Sequence, residues 1–181
     1  MSQFTHRIAT QDDVPAIINL MALAIAENMK AFLSSAEIEA AKETMGVDQT
    51  LLDDKTYFVI ETVVDKETIL VGCGGWGKRR TLYGGSHTVG RDDSYSDPGV
   101  EPARIRAMYT HPEWTRRGIG TLLLELGEDA ARSAGFSAIE LGSTIPGEPL
   151  YRARGYVEIS RDVFCGENGA DNTVIRMSKQ L

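Results

Sequence analysis

The chain has 181 residues, 42% of them hydrophobic, and a formal net charge of −7. That size and composition suit one globular domain, expected to span residues 1–181, and the acidic balance sets nucleic acid aside as the main partner. No apolar stretch approaches the ~20 residues of a membrane span, and Met1-Ser2-Gln3-Phe4-Thr5-His6 lacks a signal core, so no membrane partner and a cytoplasmic location are expected. Cys73 and Cys165 lie far apart and read as two buried free thiols. His6, His87 and His111 are scattered, which gives no metal-ligand spacing and no expected metal.

Arg7-Ile8-Ala9 reads as a short strand. Thr10 and Asp13 are spaced as a capping box ahead of Pro15. Val14, Ile17, Ile18, Met21, Ala22 and Ile25 then recur at helical spacing, which predicts a helix with one buried face. Ser34 and Glu37 form a second capping box for a short helix with Ile38, Ala41 and Met45 inward. Thr56 to Val64 and Ile69 to Trp76 are β-branched and aromatic runs around Asp65-Lys66-Glu67-Thr68, a predicted hairpin. The glycines of the second run predict a bulge or a close backbone approach. Residues 78–101 are rich in Gly, Ser, Asp and Arg. A loop of that length inside a compact domain is expected to be functional.

Ala103 to Thr110 reads as a strand, with Ile105, Ala107 and Tyr109 on one face and Arg104, Arg106, Met108 and Thr110 on the other. Thr115-Arg116-Arg117-Gly118-Ile119-Gly120 follows and opens a helix to about Ala134. Its predicted buried stripe is Ile119, Leu122, Leu123, Leu126, Ala130 and Ala134, and Gly135 is the expected terminator. A strand, a basic glycine turn and a helix N-terminus together present backbone amides to a pyrophosphate. Glycine lets the phosphates approach, the first helical amides have no internal partner, and arginine adds charge-assisted bonds. Ser137 to Leu141 completes a β-α-β unit with parallel strands. Gly147 to Arg154 is a short helix ended by Gly155, and Val157 to Phe164 with Thr173 to Ser178 form a closing hairpin.

Two of these stretches resemble the GNAT superfamily of acyl-CoA-dependent N-acyltransferases. Met108-Tyr109-Thr110-His111-Pro112-Glu113-Trp114-Thr115-Arg116-Arg117-Gly118-Ile119-Gly120 resembles its strand, Pro-Glu turn and pyrophosphate loop. Leu150-Tyr151-Arg152-Ala153-Arg154-Gly155-Tyr156 resembles its late segment of tyrosine, three residues, glycine and aromatic. The element order β-α-α-β-β-β-α-β-α-β-β follows the superfamily over nearly the whole chain. The long loop has no counterpart in the minimal pattern. The resemblance implies an α/β (mixed α+β) three-layer fold. Its central sheet is mixed and largely antiparallel, has about seven strands flanked by helices, and splays at the central parallel pair. It also implies acetyl-CoA as co-substrate. The backbone of Met108 and Thr110 would pair with pantetheine like an added strand, with Tyr109 between them in the same cofactor-binding stretch. Amides of Arg116, Arg117, Gly118, Ile119, Gly120 and Thr121 would hold the pyrophosphate. Ser143, followed by Thr144, stands where the superfamily often has an asparagine on pantetheine.

The implied reaction is attack of a neutral amine on a thioester carbonyl. An alkyl ammonium, with a pKa of about 10.4, must lose a proton first, and the leaving thiolate must gain one. Tyr151 occupies the superfamily's position for that acid, and a phenol is protonated at neutral pH. Tyr156 reads as a packed aromatic. The glutamate that some members carry near the start of the central strand is Arg104 here, which is no base. Glu101 is the candidate base, with Asp92, Asp93, Glu61 and a water chain as alternatives. Arg104 and Arg106 are candidate binding residues for an acceptor carboxylate or phosphate; the other reading is a pair of cross-strand salt bridges. The expected function is transfer of acetyl from acetyl-CoA to a primary amine of a small molecule. A protein or peptide acceptor, or a non-catalytic acyl-CoA-binding regulatory module, are the alternatives. A homodimer through the closing hairpin is one assembly the sequence allows.

Overall fold

A computed structural model describes residues 3–181. In chain order the main elements are β1 (Thr5–Ile8), α1 (Val14–Asn28), α2 (Ser35–Ala41), α3 (Gln49–Asp53), β2 (Tyr57–Val64), β3 (Glu67–Gly77), β4 (Ala103–Thr110), α4 (Ile119–Ser133), β5 (Ala138–Ser143), α5 (Glu148–Ala153), β6 (Val157–Cys165) and β7 (Asp171–Gln180). The strands form one sheet in the order β1-β2-β3-β4-β5-β7-β6. Every neighbouring pair is antiparallel except β4 and β5. Among the described residues no helix is long and apolar enough to cross a membrane.

The helices follow from local chemistry. Ser34 Oγ accepts from the Glu37 amide at 3.2 Å while Glu37 Oε2 accepts from the Ser34 amide at 2.7 Å, closing the capping box of α2. At the first box a 3-10 turn precedes α1, and the Asp13 carboxylate takes both the Thr10 amide and the Arg7 guanidinium. The Arg7 pair holds Asp13 down at about 2. Helix α3 is an element the sequence pattern does not predict; its cap is Asp48, accepting from the Thr50 amide at 3.0 Å. The β2–β3 turn is tight. Asp65 and Lys66 both have positive φ, the turn hand that matches the twist of a hairpin.

The sheet separates two cores. Beneath α4 and α5 lie Ile105, Leu123, Leu124, Ile139, Leu141 and Met177. On the other face α1 and α3 bury Ile17, Leu20, Met21 and Leu51 against Tyr57, Val59 and Tyr109. Side chains of this size contribute about 1.5–3 kcal/mol each on full burial. The buried stripe of α4 is turned from the expected one. Ile119, Leu123, Leu124, Gly127, Glu128 and Ala131 are buried, and Leu122, Leu126 and Ala130 only partly so. The helix seats so closely at Gly127 that a Cβ there would lie 2.8 Å from Ile105 Cδ1. Cys73 is buried as expected, whereas Cys165 is exposed, because β6 is the edge strand.

The expected alternation along β4 breaks at Ala107. This residue has φ +52°, and the β3–β4 register slips between Cys73 and Gly75. One extra residue reverses the alternation. Ile105 and Met108 therefore pack on the α4 face, and Ala107 and Tyr109 on the α1 face. Gly74 makes room for the bulge, since a Cβ there would sit 2.8 Å from Met108 Sδ. Beyond the bulge β4 no longer follows β5, and the parallel pair keeps only Ala103↔Ile139 and Arg104↔Glu140 in register. The sheet splays there.

The segment 78–102 is a strap held by ion pairs. Arg79 bonds Asp54 at 2.7 Å, Arg80 bonds Glu101 at 2.7 Å, and Arg91 bonds both Asp48 at 2.9 Å and Asp93 at 2.7 Å. Arg79 also forms a β-bridge with Tyr95.

Candidate active site

The splay opens a cavity of about 800 Å³ that is lined from both faces of the sheet. On the α4 side its wall includes Thr115, Arg116, Gly118 to Thr121, Ser143, Thr144 and Tyr151. On the α1 side it includes Asn28, Met29, Met45, Tyr83, Tyr109 and Asn172. Ile105, Met108 and Leu141 lie between.

At one mouth the chain leaves β4 through Pro112 to Trp114 and turns into α4. Arg116 has φ +62° and Gly118 +88°. Two left-handed residues this close fold the backbone so that α4 starts abruptly at Ile119. Gly118 provides no side-chain cap, unlike Ser34 for α2 or Asp48 for α3. The first amides of α4 are thus open to an outside anion, with the helix dipole behind them. A Cβ on Gly118 would meet no protein atom within 4 Å. This bare, amide-lined approach fits a pyrophosphate. Of the two arginines, Arg116 lines the cavity, whereas the Arg117 guanidinium stacks over the Trp114 ring at 4.6 Å.

Further in, Tyr151, Ser143 and Thr144 converge, each within 3.1–3.3 Å of where a Cβ on Gly147 would stand. Tyr151 is 8% exposed, with its ring edge-on to Tyr156 at 5.9 Å. Its hydroxyl has no hydrogen-bond partner among the described residues. The Tyr156 hydroxyl, by contrast, donates to Glu128 at 3.0 Å, and that of Tyr57 reaches Cys73 Sγ at 3.2 Å. Burial pushes the Tyr151 phenol up to about 12, so it stays protonated. A buried, protonated hydroxyl facing the cavity can give a hydrogen bond or a proton to a group placed there.

The sequence pattern of the acetyltransferase (GNAT) family matches residues 22–156, well over half the chain. The chain belongs to the GNAT acetyltransferase family. A GCN5-related N-acetyltransferase from Rhodopseudomonas palustris has a similar structure, with TM-score 0.68 and 18% identity, covering 100% of this chain and 98% of that one. PaiA N-acetyltransferase from Thermoplasma acidophilum, solved with coenzyme A, gives 0.60 and 16% over 100% of both chains. YncA from Salmonella typhimurium, solved with acetyl-CoA, gives 0.62 and 17% over 99% of this chain and 95% of that one. At these identities the likeness is one of fold. No curated protein matches the sequence. The mixed seven-stranded sheet with its parallel β4–β5 pair is the GNAT fold, and GNAT enzymes use acetyl-CoA as co-substrate. Among the described residues no group of three or more His, Cys, Asp or Glu could hold a metal ion.

In this acetyltransferase the other residues singled out from the sequence separate into two groups. Met108, Tyr109, Thr110, Arg116, Gly118, Ile119, Gly120, Thr121, Ser143 and Tyr151 come together around the cavity. Thr110 O already accepts from Asn28 Nδ2 at 2.8 Å, so it has one lone pair left for a ligand amide. Ser143 Oγ donates to Thr144 O at 2.7 Å and keeps its lone pairs for a donor. Glu101 does not line the cavity. Its two oxygens take Arg80 at 2.7 and 3.1 Å, Oε2 also takes the Asp97 amide, and the carboxyl is held at about 2. That geometry does not support a base. Asp92, Asp93 and Glu61 also lie outside the lining.

Arg104 is outside the lining as well. It pairs with Glu140 at 3.3 Å, its register partner on β5, and Glu140 also takes Arg176 at 2.6 Å. Arg106 lines the cavity but is only 2% exposed, and it bonds Asp48 at 2.7 Å, Gly84 O at 2.7 Å and Thr81 O at 3.4 Å. Both arginines thus serve ion pairs. Asp48, unmarked in the sequence, is the hub of this latch, bonding Arg106, Arg91 and Thr50. Its pKa is lowered by Arg106, the Thr50 hydroxyl and Arg91 against the cost of burial. The latch therefore stabilises fully above the ordinary carboxylate value of 3.8 and weakens as pH falls through the depressed folded value. Asp48→Asn is expected to lower stability by about 3–5 kcal/mol, because it leaves the buried Arg106 charge uncompensated. Denaturant unfolding at neutral pH checks this; a loss below about 1 kcal/mol, the median for exposed pairs, would contradict the latch.

On the α1 side of the cavity the surrounding segments are tied together by hydrogen bonds. The segment 42–49 bonds the strap through Ser86 N to Val47 O at 2.9 Å, Thr88 Oγ1 to Glu43 O at 3.1 Å and Gln49 N to Ser86 Oγ at 3.0 Å. It bonds the β6–β7 hairpin through Asn172 Nδ2 to Thr44 Oγ1 at 3.1 Å and Glu167 N to Glu43 Oε1 at 2.8 Å.

Proposed function

We propose that this acetyltransferase moves an acetyl group from acetyl-CoA to the primary amine of a small molecule by direct attack on the thioester. The observation that carries this reading is the lacing on the α1 side. The segment 42–49 is hydrogen-bonded to the strap on one side and to the β6–β7 hairpin on the other, which favours a walled pocket over an open peptide groove. The amides of α4 and Arg116 hold the pyrophosphate. The freed edge of β4 past Ala107 aligns pantetheine, and Ser143 offers it an acceptor.

The chemistry then needs two proton movements. The amine nitrogen bonds the carbonyl carbon, and the carbon–sulfur bond breaks. Tyr151 gives its proton to the departing thiolate. The proton lost by the nitrogen passes to water, since among the described residues no Asp or Glu lines the cavity, and returns from solvent to the Tyr151 phenolate. The unpartnered Tyr151 hydroxyl argues against a regulatory module that has lost catalysis. The closing hairpin leaves Val157, Ile159 and Val163 of β6 exposed, which is the surface a homodimer would use.

The test is CoA thiol release with small primary amines and with short peptides bearing free N-termini, followed from pH 6 to 10. Small amines are expected to turn over and peptides not. The kcat/KM for an amine should rise with pH towards the amine's own pKa of about 10.4. No descending limb is expected in that range, because the acid Tyr151 is held up at about 12. Peptide turnover alone would contradict the small-amine reading. A rising limb centred well below the amine's own pKa would contradict proton loss to water.

A further inference from the structure

We infer that the acceptor is a primary monoamine with an aryl or branched alkyl body and no second charged group, an inference that rests on the small-amine reading above. On the α1 side the wall of the cavity is built by Met29, Phe32, Met45, Leu82, Tyr83 and Val174. The Tyr83 ring is seated firmly. It covers Gly142 of β5, where a Cβ would lie 3.0 Å from its Cδ1, and meets the Phe164 ring at 6.5 Å. An apolar body entering here exchanges water for these side chains, which is favourable.

Charge is what this wall lacks. The charged residues of the lining are Arg106 and Arg116, and no Asp or Glu is among them. Arg116 belongs to the pyrophosphate mouth. Arg106 is committed to Asp48 and to the carbonyls of Thr81 and Gly84. Its Nε is buried without a partner, shut beneath the strap. Nearby carboxylates lie outside the lining, and two of them are ion-paired elsewhere. Asp48 serves two arginines, Glu140 serves Arg104 and Arg176, and Glu43 accepts from the Glu167 amide. Asp162 acts on the Tyr83 phenol from the exposed strand β6 and accepts from Ser160. The remaining polar side chains are amides and hydroxyls, and Thr44 and Asn172 already bond each other. A second ammonium would lose its water with no carboxylate of the lining to pair with, and an acceptor carboxylate would meet no free guanidinium.

The test uses the intact protein with saturating acetyl-CoA and follows CoA release with phenethylamine, phenylalanine, putrescine and a tetrapeptide. The kcat/KM for phenethylamine is expected to exceed those for putrescine and phenylalanine by about 100-fold. Phe32 stands at the rim, 55% exposed, so Phe32→Asp is compatible with folding and adds the missing carboxylate. That variant should move the putrescine to phenethylamine ratio upward by at least about 10-fold. A wild type that prefers the diamine or the amino acid, or a ratio unmoved in Phe32→Asp, overturns this inference and leaves the small-amine reading standing. Turnover of the peptide alone, or of no amine while acetyl-CoA binds, overturns both.

Discussion

Tyr151→Phe is expected to lower kcat by about 100-fold or more, the ordinary worth of a general acid, with acetyl-CoA affinity changed little. The ring is fixed by the α4-side core and by Tyr156, so phenylalanine fills the same space. The hydroxyl bonds no described residue, so its removal leaves no orphaned partner and should not lower the melting temperature. This separates a catalytic role from a structural one. A tyrosine kept for the core would lose stability on truncation and keep its rate. Thiol release under saturating acetyl-CoA, calorimetric affinity and thermal unfolding should be read on the same preparation. Full activity in the variant would remove Tyr151 from the acid role.

Gly118→Asp is expected to weaken acetyl-CoA binding by about 100-fold, the equivalent of losing one or two charge-assisted bonds at 1.5–3 kcal/mol each. Two effects add. The new side chain fills the bare space before the first amides of α4, and its charge opposes the pyrophosphate. Aspartate tolerates the left-handed region better than most residues, which limits the backbone cost at φ +88°. Gly169→Asp is the matched control. It has φ +79°, a Cβ there would likewise meet nothing within 4 Å, and it lies in the β6–β7 turn outside the cavity. Calorimetry on both variants should show the loss in the first only. Equal affinities would take the pyrophosphate away from this loop.

The residues that were legible in the sequence are those whose chemistry is local. The capping box of Ser34 and Glu37, the hairpin around Asp65-Lys66 and the strand, turn and helix through Gly118 each carry their own signal within a few residues. The bulge at Ala107 does not. Its phase is set across the sheet by Gly74, so a period of two read along β4 alone puts Tyr109 with Ile105, when the two pack on opposite faces. The stripe of α4 shifted for the same reason, because Gly127 lets the helix settle onto Ile105. Glu101 looked available as a base because its partner Arg80 is brought back to it only by the folding of the strap. Asp48 carried almost no signal, since Arg91 and Arg106 reach it from 43 and 58 residues away. The apolar wall of the cavity is likewise drawn from the turn after α1, the segment 42–49, the strap and β7, and no contiguous stretch announces it.

The slot between β4 and β5 is proposed to receive acetyl-CoA. Calorimetric titration of the wild-type protein with acetyl-CoA, with NADH as the control dinucleotide, tests it most directly. Binding of acetyl-CoA at micromolar strength or tighter, with no heat from NADH, is the predicted result. No binding of acetyl-CoA, or equal binding of both, would contradict it.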